Sequence, residues 1–281
     1  GEARAVFRER GAVIGRMVAS LRPLGPAGGT WTERLLAAPL GGGIRYNGPA
    51  DTLSSFAGLR DHSVSGPIGL AADFSCRVAD PCLNGVVRAN ALTYENQRYG
   101  TRLTQMALTG RFAGNRLEIE QLTARAGDGT VSAKGTISLA AAAGYPMDLT
   151  IQTSNARLAR SEALSARATG DLRLTKRAGE AAVLTGKLRL PETRYKIVRE
   201  GAAQVPELTG VRFKPPRGYF RVTGDEPAVS GPGLFEAVRL DLELNAPERL
   251  FVSGMGLESE WRARFTVAGT SSAPTLAGQV E

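Results

Sequence analysis

From residue 63 onward the chain alternates apolar and polar positions with a period of two. Leu117-Glu118-Ile119-Glu120, Leu149-Thr150-Ile151-Gln152, Leu172-Arg173-Leu174 and Leu188-Arg189-Leu190 all follow it. Ile137 and Leu139 extend it, as does Phe265-Thr266-Val267, and the longest run is Val238-Arg239-Leu240-Asp241-Leu242-Glu243-Leu244-Asn245. Successive side chains of a strand point to opposite faces, so each run predicts a strand with one apolar and one polar face. Turn residues separate the runs at Ala113-Gly114-Asn115, Gly127-Asp128-Gly129, Arg177-Ala178-Gly179 and Gly269-Thr270-Ser271-Ser272.

A short motif, apolar-x-Gly-x-apolar, recurs within these strands. It centres on Gly66, Gly85, Gly110, Gly186 and Gly278, with looser copies at Gly135 and Gly170. The intervals are too irregular for a strict solenoid. They fit a meander of hairpins with one glycine-kinked strand per unit, and repeated kinks curve a sheet.

Residues 1–62 show a different spacing. Val6, Phe7, Val13, Ile14, Met17, Val18 and Leu21 recur at steps of three and four, which predicts a helix ending before Pro23. Thr30 and Glu33 have capping-box spacing for a short helix that Pro39 terminates. Asp51 is placed as the N-cap of a third helix through Leu53, Phe56 and Leu59. The expected organisation is a helical segment over 1–62, β-groove repeats over 63–200, a Pro/Gly-rich linker over 201–233 and further groove strands over 234–281.

Composition narrows the function. The 281 residues carry 35 basic and 27 acidic side chains, a net +8, with one His and two Cys. The basic residues are scattered singly along strand-like segments, as on a solvated strand face. The densest patch, Arg212 to Arg221, holds two prolines and reads as a loop, so nucleic acid is not an expected partner. His62, flanked by Asp61 and Ser63 in an expected loop, is the single imidazole available to any triad or metal site. No GxSxG, GxxxxGK[ST] or HExxH motif occurs, and neither catalytic residues, metal ligands nor cofactors are expected. Cys76 and Cys82 bracket five residues, a spacing that brings two strand ends within disulfide reach. Such a clip belongs to an oxidising compartment such as a periplasm; two reduced buried thiols are the alternative.

An apolar strand face must be covered. A sandwich or closed barrel would cover it with its own chain; a sheet bent into a trough would cover it with an apolar ligand. The candidate trough lining is Leu117, Ile119, Ile137, Leu139, Leu149, Ile151, Leu172, Leu174, Leu188, Leu190, Val238, Leu240, Leu242 and Leu244. Aromatics are few in the chain, 6 %, and such an aliphatic wall suits alkyl chains better than sugars. The fold expected is mostly β, an elongated curved antiparallel sheet forming a U-shaped apolar groove, with a small helical segment at the N-terminal side.

Several stretches carry a family resemblance in their order: Arg45 to Asp51, Val64 to Ile68, Gly110 to Leu117, Gly127 to Gly135 and Asn245 to Glu260 ahead of Gly269-Thr270. Together they resemble the C-terminal half of the TamB family, of the AsmA-like superfamily. The resemblance implies a β-taco groove in a periplasmic protein tethered to the inner membrane. It also implies an outer-membrane TamA-like barrel as partner, phospholipid as ligand and a role in transport or outer-membrane protein assembly. The anchor and the partner-binding segment are expected outside this stretch of chain.

Overall fold

The structure, a computed structural model, describes residues 1–9, 11–21, 30–54, 62–97, 99–140, 143–197 and 238–281. The chain opens with β1 (Glu2–Glu9) and β2 (Ala12–Leu21), then α1 (Trp31–Leu36), β3 (Leu40–Pro49) and α2 (Ala50–Ser54). The central run is β4 (His62–Ser65), β5 (Pro67–Cys76), β6 (Pro81–Asn96), β7 (Thr101–Gly114), β8 (Arg116–Ala126), β9 (Gly129–Ser138) and β10 (Met147–Arg160). It continues through β11 (Leu164–Lys176), β12 (Val183–Arg189) and β13 (Thr193–Lys196), and closes with β14 (Arg239–Gly254), β15 (Leu257–Thr270) and β16 (Ala273–Val280).

Among the described residues all sixteen strands join one sheet, in the order β1-β2-β3-β5-β6-β7-β8-β9-β10-β11-β12-β14-β15-β16. Most neighbours on this path are hairpin partners, and all but one pair are antiparallel. The exception is β12, which pairs β14 in parallel. β13 lies in line with β12, between β11 and β14, so the two share one lane of the sheet. β4 and β5 share a lane beside β6 in the same way.

The helical reading of residues 1–21 is corrected: they form the β1–β2 hairpin, turning at Gly11 with φ +85°. A bulge shifts the register between Phe7 and Arg8, leaving Ile14 unpaired. Val6, Val13 and Val18 also lie on the outer face, 52, 42 and 40 % exposed. Apolar side chains on both faces plus a one-residue slip produce three- and four-residue spacing without a helix. The capping box is present on α1: Thr30 Oγ1 accepts from Glu33 N, and the Glu33 carboxylate accepts from Thr30 N. α2 begins at Ala50, so Asp51 sits in its first turn rather than at its N-cap. Phe56, Leu59, the 201–233 linker and the Arg212–Arg221 patch lie outside the described residues. His62 is on a strand, not in a loop.

Candidate functional site

Directly opposed residues in neighbouring strands share a face, so the register shows where each candidate lies. One cross-strand row runs Phe7, Gly15, Tyr46, Leu70, Val87, Gly110, Ile119, Gly135, Leu149, Leu174, Leu184, Leu240. A second runs Gly48, Ile68, Ala89, Leu108, Leu122, Ala133, Ile151, Leu172, Gly186, Leu242, Val267, Leu276. Beside them lie Phe112, Leu117, Ile137 and Met147 on one flank. On the other lie Val131, Thr153, Gly170, Leu188, Leu244 and Phe265. Four rows about 7 Å apart give roughly 20 Å of apolar width. The neighbouring outer row is of another character: Arg16, Arg45, Ala71, Val86, Arg111, Glu118, Thr136, Asp148, Thr175.

The apolar face is the concave one. Ile151 and Leu158 of β10 pack into the same cluster as Ala246 and Leu250 of β14, although β11 and β12 intervene. Beyond the β8–β9 turn, β10 bonds to β7 and to the turn before it: Thr101 Oγ1 donates to Leu158 O at 2.5 Å and Arg160 N to Tyr99 O at 3.1 Å. The Tyr99 hydroxyl, in the β6–β7 turn, donates to Ser271 O in the β15–β16 turn. In a flat sheet those turns would lie more than ~30 Å apart. The sheet is therefore rolled.

Among the described residues no second layer of strands or helices lies along this face. Among the described residues no large side chain is fully buried. The most enclosed positions are alanines: Ala126, Ala156 and Ala246 at 0 % exposure and Ala72 at 1 %. Leu172, Leu174 and Leu188 retain 9, 9 and 7 %. α2 touches one end, where Ala50 packs with Ala89, Leu92 and Met106. α1 buries no residue, and it hydrogen-bonds instead to the loop between β5 and β6.

Of the candidate residues, Leu117, Ile119, Ile137, Leu149, Ile151, Leu172, Leu174, Leu188, Leu240, Leu242 and Leu244 are brought to this face. Leu190, just past β12, joins the cluster of Leu188 and Leu250. Val238, just before β14, packs on the cluster of Met147 and Leu174. Leu139 lies beyond the end of β9 and belongs to none of the clusters; its backbone N donates to Asn115 O. Missed by the alternation were Ile68, Leu108, Phe112, Leu122, Ala133 and Leu184, while Val267 lay in an alternating run but outside the candidate lining. The glycine motif marked most of them. In Leu108-x-Gly110-x-Phe112 or Leu184-x-Gly186-x-Leu188 the three named residues are consecutive positions of the inner face.

Cys76 and Cys82 are joined as a disulfide, with Cα atoms 5.4 Å apart, across the β5–β6 turn. The Tyr94 hydroxyl lies 2.6 Å from His62 Nδ1, and burial raises the Tyr94 pKa above the ordinary phenol value. Among the described residues no group of three or more His, Cys, Asp or Glu could hold a metal, and no helix is long and apolar enough to cross a membrane.

The family model for the TamB C-terminal domain matches residues 120–281, more than half of the chain. The chain belongs to the TamB family. No curated protein and no solved structure gives a significant match. TamB is the non-enzymatic component of a translocation and assembly module in the bacterial envelope, acts in outer-membrane biogenesis and partners TamA-like components. In this TamB chain the matched residues run from β8 to the end of the sheet and include most of the concave face.

Proposed function

We propose that the chain is a periplasmic segment of a bridge-like lipid transport protein, whose concave face shields phospholipid acyl chains on their way between the inner and outer membranes. The observation that carries this reading is the unbroken row of Gly, Ala, Val, Leu and Ile from β3 to β16, on a face that no second layer covers among the described residues. Each CH2 in water costs about 0.8 kcal/mol, so a tail of about 15 such groups meets a barrier on the order of 12 kcal/mol in crossing an aqueous compartment. An apolar wall removes most of it and needs no catalytic group. Rows that continue from lane to lane give a tail equivalent surroundings at each step, so it slides without a deep trap.

The test is a photo-crosslinking residue at Leu242 or Leu174 in the full-length protein, combined with native mass spectrometry of the gently purified chain. Phospholipid adducts at these positions are expected, and Leu174→Asp or Leu242→Asp should remove them from a folded protein. Wild-type lipid occupancy in both variants rejects the reading.

One observation favours a second reading, a scaffold that pairs strands of nascent outer-membrane barrels. All eight residues of β16 are exposed, β16 pairs β15 alone among the described residues, and it carries no charged side chain. β1, at the opposite edge, carries Glu2, Arg4, Arg8 and Glu9, the kind of charged edge that resists strand addition. Crosslinks from Thr275 or Gln279 to barrel strands, without lipid adducts at Leu242, would favour it.

A further inference from the structure

The outer face of β2, β3, β5 and β6 holds a depression of about 730 Å3 that the groove does not explain. Its position follows from register. Arg16 stands directly opposite Arg45, Arg45 opposite Ala71, and Ala71 opposite Val86, while Asn47, Gly69 and Arg88 form the next outer row. The small residues Gly69 and Ala71 of β5 thus form a floor between flanking arginines on β3 and β6.

Two features of the depression are costly for a strand surface without a ligand. Like charges directly opposed across strands are destabilising. Arg16 and Arg45 are so opposed, and Asp73, the acid within reach, is taken by Arg45 at 2.7 Å. Gly69, meanwhile, is not required by the backbone. An added Cβ would meet nothing nearer than Arg88 O at 3.7 Å, whereas at Gly85 it would lie 2.0 Å from Ala71 O. A larger residue fits at 69, and its absence keeps the depression open.

We propose that this depression is an exterior binding site for a phosphate ester with an apolar substituent, distinct from the groove. Arg45 is held by Asp73 and by the carbonyls of Ile44 and Ala72, so the guanidiniums of Arg16 and Arg88, on β2 and β6, are the ones to meet a tetrahedral phosphate, whose oxygens face in several directions. Val13 and Val86, 42 and 40 % exposed on its rim, supply contact for the apolar part. The volume is that of a small-molecule site.

The test titrates the purified chain with monomeric dihexanoyl-phosphatidylglycerol, dihexanoyl-phosphatidylcholine and inorganic phosphate, read by calorimetry and by shifts of the arginine Nε–H resonances. The glycerol lipid should bind most tightly and move the Arg16 and Arg88 signals. Arg88→Gln should weaken it about tenfold, the worth of one charge-assisted hydrogen bond, and Gly69→Leu should abolish it with all arginines in place. Leu242→Asp, which alters the opposite face, should leave it unchanged, so failure of the groove reading and failure of this one are separable. Wild-type affinity in both Arg88→Gln and Gly69→Leu overturns the site. Equal affinity for inorganic phosphate overturns its amphiphilic character.

Discussion

At Gly135 the backbone has φ +146°, and a Cβ there would lie 2.1 Å from Asp148 O in the next strand. Side chains avoid that conformation, and the neighbour is backbone that cannot swing aside. Gly170 repeats the arrangement at φ +153° against Lys187 O. These are inner-face positions, where a missing side chain lets the concave surface tighten. Gly135→Ala should cost about 2 kcal/mol or more in urea unfolding, and a cost under about 0.5 kcal/mol would refute the steric argument. On the opposite face Arg173 donates to both carboxylate oxygens of Asp148, at 2.8 and 2.6 Å, and these hydrogen bonds hold the Asp148 pKa below its ordinary value. The folded pKa is depressed, so the pair's contribution is present above the unfolded carboxylate value and is lost as pH falls through the folded one. It is a small contribution, since the pair is exposed. Arg173→Gln should return Asp148 to ordinary carboxylate titration by carbon-detected NMR; an unmoved midpoint would contradict the pairing.

Single elements show which signals a sequence transmits. The Cys76–Cys82 bond closes the β5–β6 hairpin, and that loop in turn binds α1: Val78 N donates to Ala38 O and Ala79 N to Leu36 O. Closing so short a loop is worth about 2 kcal/mol by chain entropy. Reduction should lower stability by that order and speed hydrogen exchange at Val78 and Ala79, while β10 and β11 keep their protection. Strands such as β10 and β14 were legible because each has one apolar face, so the pleat is printed on the residues as alternation. β1 and β2 were not, because Val6, Val13 and Val18 put apolar side chains on the outer face and a bulge slips the register. β8 falls between: Leu117 and Ile119 announce its inner face, but an irregularity between Ile119 and Leu122 moves the apolar parity by one. Alternation followed past that point selects the wrong face. The glycine motif survives such slips because its three named positions lie within five residues. It was therefore the better guide to the concave face, although its spacing alone pointed to a bend rather than to a lining.

For the molecule as a whole, the decisive property is that nearly every strand pairs with its sequence neighbours in one open ribbon. Cohesion then comes mainly from neighbouring lanes, as in repeat proteins, with separate apolar clusters along the concavity rather than one core shared by every strand. Interior lanes are hydrogen-bonded on both sides and bridged across the concavity, as where β7 meets β10. β1 and β16 are bonded on one side, and no residue of either is buried. Amide exchange read by mass spectrometry should therefore slow progressively from both edges toward β7–β11, the order expected when a ribbon frays from its ends. A single cooperative exchange rate from β1 to β16 would instead require a shared core, and would contradict an open sheet. The same experiment bears on the groove. A tail lying along the rows would add apolar contacts to lanes already joined by hydrogen bonds and side-chain packing, so lipid should raise protection most where Leu172, Leu188 and Leu242 line β11, β12 and β14. Lipid bound only to the outer depression would protect β2, β3, β5 and β6 and leave those lanes unchanged.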